Sequence, residues 1–260
     1  MSDKSNKNLK KENEELRKKL LIAKTWMKKE IKNQISKIEK IKVTKESIEE
    51  KNEFLNKNID DIIINNIHSF FWDFLLMNAP ASAIENIISA EISYYNLREN
   101  PNSDWFSVIS SYHKSLDSII ESFITKNFRK FAKKKEVSIT RVNDTLEKSL
   151  KSVINMWYIL SLWRLYHVSS LILKDKKLLP IANCFKEFLE KYDFIKKNLL
   201  DKDFHKKFRI LVESEIFWKK RHSGRITFVE TRKARRLLIW DFEDKNCIFY
   251  KLLEIWKIDF

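Results

Sequence analysis

Residues 104–131 read DWFSVISSYHKSLDSIIESFITKNFRKF. Trp105, Val108, Ile109, Tyr112, Leu116, Ile119, Ile120 and Phe123 recur at steps of three and four, which places them on one face of a helix. Asp104 stands just before that run, where a carboxylate accepts from the free amides of a helix start. No Gly or Pro interrupts the stretch, and the whole chain of 260 residues contains one Gly and three Pro. Gly and Pro end helices and shape hairpins, so a chain this poor in both is expected to be all-α, with long helices joined by short polar turns. Pro80, Pro101 and Pro180 each separate two apolar-periodic segments, as Pro does at helix boundaries. Working outward, the helical segments fall at about 60–78, 82–98, 104–134, 141–174, 181–199, 202–220 and 227–240, to within a few residues. Thr227 with Glu230 makes a capping-box pattern that opens the last of them. Arg225–Val229 and Cys247–Lys251 alternate with period two but are short. The aromatic-rich end, 237–260, reads as a short helix or a hairpin. No repeat of fixed period is visible, so a solenoid is not expected.

The first sixty residues read differently. Ile41, Ile48, Leu55 and Ile62 recur every seven residues, Met27, Ile31, Ile35 and Ile38 add apolar positions, and Lys and Glu fill the rest. Gln34 and Lys45 interrupt the seam. This is the pattern of a long amphipathic helix, an N-terminal coiled-coil stalk over residues 1–60. Either it is solvated on most faces and docked at one end, or it self-associates into a homodimer or higher oligomer. Residues 61–260 then form a helical-bundle domain.

Several function classes are excluded by composition. One glycine cannot write G-x-G-x-x-G or a Walker A loop, which removes Rossmann and P-loop enzymes. Two cysteines, Cys184 and Cys247, make no disulfide framework and no C-x-x-C zinc site, which suits a reducing, cytoplasmic setting. The N-terminus, MSDKSNKNLKKENEELRKKL, lacks the apolar run of a signal peptide. Residues 153–173, VINMWYILSLWRLYHVSSLIL, have about the length of a bilayer span. Arg164 near the middle would cost about 2.5–3.5 kcal/mol there, so the stretch is expected to be a buried core helix, and no membrane partner is expected. His68, His113, His167, His205 and His222 make no ligand spacing with each other or with Cys, so neither metal nor cofactor is expected. No G-x-S-x-G occurs, and Cys184 lies in an apolar helical segment where a thiol packs.

Charge is the strongest remaining signal. The chain carries 51 Lys and Arg against 36 Asp and Glu, a net +15. Lys219, Lys220, Arg221, Arg225, Arg232, Lys233, Arg235 and Arg236 crowd residues 219–236, opposed only by Glu230. Such density attracts phosphates with release of counterions, and five of the eight are Arg, which grips phosphate with two donors. Trp218, Phe228 and Trp240 interleave as stacking surfaces for unpaired bases. RNA is the partner this favours. The alternatives are a protein partner, cations that only keep the chain soluble, and a basic helix 227–236 laid on an anionic membrane.

Two passages resemble the HEPN superfamily, helical domains of toxins, abortive-infection proteins and CRISPR-associated ribonucleases. The first is AEISYYNLRENPNSDWFSVISSYHKSLDSIIESFITKNFRKF, Ala90–Phe131, which looks like that family's paired helices. Asp104, Ser107, Tyr112, Lys114 and Leu116, followed by Phe128 and Arg129, carry the likeness. The second is HSGRITFVETRKARRLL, His222–Leu238, similar to the segment after the family's catalytic motif. The likeness runs from about residue 86 to 240 and implies metal-independent RNA cleavage in a dimer cleft, with His222 the catalytic residue. In the family an Arg precedes the His by four to six intervening residues. Here those places hold Phe217, Ile216 and Glu215, so the motif is degenerate. On this resemblance the chain is expected to be an RNA-interacting protein of a prokaryotic antiviral-defence or toxin type, a ribonuclease with a degenerate site. The alternative is a non-enzymatic adaptor that oligomerises through the stalk and docks a protein partner.

Overall fold

A computed structural model describes residues 14–19, 22, 24–26, 29, 59–135, 144–155, 158–174, 178–217, 220 and 225–256. The chain divides into two compact units, Met1–Ile62 and Ile63–Phe260. In the first, the described residues up to 29 are helical. Lys29 forms an ion pair with Asp61. The expected coiled-coil stalk over residues 1–60 lies for the most part outside the described residues. The heptad positions from Ile31 to Leu55 lie outside the described residues.

The second unit is all-α, and no strand occurs among the described residues. Its helices are α1 (Ile59–Asn78), α2 (Ala81–Leu97), α3 (Phe106–Ile119), α4 (Lys126–Lys134), α5 (Thr145–Asn155), α6 (Leu162–Leu173), α7 (Pro180–Lys191), α8 (Asp193–Leu199), α9 (Lys202–Glu213), α10 (Phe228–Leu238) and α11 (Ile248–Leu253). A π-helical turn, Ile120–Thr125, joins α3 to α4. The expected apolar face of 104–131 is the buried one: Trp105, Val108, Ile109, Tyr112, Leu116, Ile119 and Ile120 are each 0% exposed. α2 and α3 lie antiparallel in the most extensive helix pairing, pinned where Ser115 Oγ donates to the Ala83 carbonyl at 2.9 Å. α11 is apolar almost all round and packs against α3, α8, α9 and α10, so the aromatic-rich end is a helical plug in the core and not a hairpin. Its Cys247 and the α7 thiol Cys184 are buried and free; burial pushes them up to about 12 and about 11.

Four expected boundaries shift, the simplest being 202–220, where the helix ends at Glu213 before extended Ser214. The segment 141–174 is two helices, and residues 158–161 between them are non-helical. Ser161 caps α6 by accepting from the Arg164 amide at 3.4 Å. The backbone released by the break is satisfied from across the fold: buried Arg129 donates to the carbonyls of Val153 (2.9 Å) and Tyr158 (3.1 Å), and Thr125 Oγ1 accepts from the Leu160 amide (3.2 Å). The described part of 153–173 is therefore not one helix; it buries Val153, Leu160, Leu165 and Val168 while Tyr158 and Trp163 are exposed, and no helix among the described residues is long and apolar enough to cross a membrane. Extended Tyr192 (φ −119°) likewise divides 181–199 into α7 and α8. At the start of α3 the N-cap is Trp105, not Asp104. Asp104 Oδ1 accepts from Phe106 N and from Ile226 N, both at 3.1 Å, and Trp105 N donates back to the Ile226 carbonyl at 3.0 Å. That clamp ties the entrance of α10 to the entrance of α3.

Candidate functional site

α10 carries Arg232, Lys233, Arg235 and Arg236 of the basic cluster. Its capping box is formed: Thr227 Oγ1 accepts from Glu230 N, and Glu230 Oε2 accepts from Thr227 N at 2.9 Å. From that start, Phe228, Arg232 and Arg235 follow at steps of four and three and share one face. On α2, Glu91, Tyr94 and Arg98 do the same. The two faces meet. Arg235 Nε lies 3.0 Å from Glu91 Oε1 and Arg235 Nη2 lies 2.8 Å from Oε2, while the rings of Tyr94 and Phe228 stack at 6.2 Å.

Glu91 is 3% and Arg235 8% exposed. The Tyr112 hydroxyl donates to Glu91 from α3. Arg235 also pairs with Asp241 and stacks on Tyr94, its guanidinium carbon 4.6 Å from the ring centroid. Burial, and next the charge of Glu91, holds the Tyr112 phenol well above its usual value. Burial alone would lower Arg235, but the charge and hydrogen bonds of Glu91 together with the neighbouring Tyr112 and Tyr94 outweigh it, and the guanidinium is raised. Asp241 and Phe242 reach the cluster from a turn in left-handed backbone (φ 52° and 64°), a conformation Asp tolerates and Phe adopts rarely.

These groups wall a cavity of about 610 Å³. Tyr94, Phe228 and Phe242 supply aromatic wall, Ile63 and Asn66 come from α1, and exposed Arg98 and Arg232 complete it. Arg98 stacks on Tyr95 at 5.0 Å. Among the described residues neither Arg98 nor Arg232 has an acidic partner.

The expected cations are thus sorted by their partners. Lys220 pairs with Glu230, and Arg235 is buried in its ion pair. Arg236 is exposed, its Nε 3.8 Å from Asp241. Arg225, Arg232 and Lys233 are exposed. His222, Lys219, Arg221 and Trp218, with the Trp240 side chain, lie outside the described residues. Phe228 lines the cavity. Glu91, Tyr94, Arg98 and Asp241 were not singled out in the sequence. Glu91 had a signal there: it falls four residues after Ile87 and three before Tyr94, an acid in an apolar stripe. Among the described residues no group of His, Cys, Asp and Glu is placed to hold a metal. The chain matches no protein-family model, no curated protein and no solved structure.

Proposed function

We propose that this chain is an RNA-interacting, HEPN-like protein of a prokaryotic defence type that binds RNA along α10 and the α2 terminus. The observation that carries the reading is the placement of Arg98 and Arg232, without acidic partners, at a cavity walled by stacked aromatic rings. Arg225 and Lys233, also exposed, extend the positive surface along the backbone of a bound strand. Binding is tested by titrating labelled single-stranded RNA over a salt series. Affinity is expected to fall steeply with salt, and Arg232→Gln with Lys233→Gln to flatten the slope by about two. A salt-independent affinity overturns the reading. Cleavage is a further step carried by His222: incubation with mixed RNA in EDTA is expected to give products that His222→Ala does not. A second reading, a protein-docking adaptor, is favoured by Trp72 (57% exposed) and Met77 (69%) on α1.

A further inference from the structure

We infer that the cavity between α2 and α10 takes a phosphomonoester carried on a flat ring, that is, a terminal 5′-phosphorylated nucleotide of RNA or a free nucleoside monophosphate. The inference rests on the RNA reading above and goes further, because it assigns the cavity an end group and not a passing strand.

Three features select that chemistry. The first is charge. Arg98, Arg232 and Arg235 stand against Glu91 and Asp241 in the cavity wall, a net +1 (3 − 2). Arg235 is already engaged by both acids, so the donors that remain are the two forks of Arg98 and Arg232. A phosphodiester inside a strand carries one negative charge. A terminal phosphomonoester carries about −1.5 to −2 at neutral pH and three acceptor oxygens, which two guanidiniums satisfy and one does not. The second is shape. About 610 Å³ lies inside the roughly 300–1,000 Å³ typical of small-molecule sites. Tyr94, Phe228 and Phe242 line the cavity with aromatic ring surface against which a base can lie. The third is polarity. Asn66 adds an amide, one donor and one acceptor group, suited to a base edge. Arg235, held between Tyr94 and Phe242 (4.6 and 5.6 Å from the ring centroids) and bonded to Glu91, is a fixed part of the cavity wall.

The test is fluorescence anisotropy with one short single-stranded RNA made with a 5′-phosphate and with a 5′-hydroxyl, competed by adenosine monophosphate, adenosine or inorganic phosphate. The phosphorylated end is expected to bind about tenfold more tightly, the effect of one or two charge-assisted hydrogen bonds. Arg98→Gln and Arg232→Gln, both at exposed positions, are each expected to erase most of that preference without moving the melting temperature. Competition by adenosine monophosphate, stronger than by adenosine or phosphate, adds the free nucleotide as a source. Equal binding of the two RNAs, weakened alike for both by Arg232→Gln, overturns the end-group inference while leaving RNA binding along α10 intact; equal binding unaffected by either substitution overturns both. If neither RNA binds but adenosine monophosphate does, in a manner lost in both variants, the cavity assignment stands and the RNA reading falls. No binding of any probe overturns both.

Discussion

Glu91 and Arg235 are 144 residues apart and meet at 3.0 and 2.8 Å in a nearly dry setting. A buried pair of this kind contributes little net stability relative to an apolar pair, but removing one partner leaves the other charged and unsolvated. Glu91→Gln is therefore expected to lower stability by about 3–5 kcal/mol in urea unfolding, and the double variant Glu91→Gln with Arg235→Met to recover much of that loss. Tyr112→Phe, which removes only one donor to the carboxylate, is expected to cost about 1–2 kcal/mol. That α2 and α10 are helices was readable from the sequence alone. That the acid in one meets the base in the other was not, because nothing local records which faces are opposed.

At the scale of the element, α10 depends on its first turn. Thr227 and Glu230 satisfy each other's amides, and Lys220 holds the same carboxylate from outside the helix. Burial pulls Glu230 upward, yet the bonds from Lys220 and Thr227 outweigh it and the group is lowered. Thr227→Ala is expected to cost about 0.5–2 kcal/mol, read as a lower unfolding midpoint. It is also expected to weaken RNA binding, since the turn sets the direction of Phe228 and Arg232. This motif was legible because a capping box involves residues three apart. The break between α5 and α6 was not. Residues 153–173 are apolar enough to run on as one helix, and they stop because Arg129 and Thr125, from a different part of the chain, take the exposed backbone groups.

Across the whole molecule, every buried apolar side chain among the described residues lies from Ile63 onward, and most cations remain outside that core. The core also sets a pH dependence. His205 stacks on Tyr166 at 4.9 Å, and its Nε2 is buried without a hydrogen-bond partner. Burial foremost, with the charges of Lys174 and Arg209, lowers its pKa against an opposing hydrogen bond with the Tyr166 backbone. The folded state thus keeps the imidazole neutral, while the unfolded chain takes up its proton near pH 6.5. Stability is full above about pH 6.5 and declines as pH falls through the lowered folded value. Urea midpoints compared at pH 7.5 and 5.5 are expected to drop for the parent and to drop less for His205→Leu. Helix class, the buried face of α3, the cap of α10 and the excess of positive charge were all present in residue order, since each depends on neighbours a few positions away. Which cations remain outward and which are neutralised, and that Arg98 and Arg232 border one aromatic-walled cavity, came only with folding. The pairing of Arg235 with Glu91 and the meeting of Arg98 with Arg232 join residues more than a hundred positions apart, and helix packing brings them within reach.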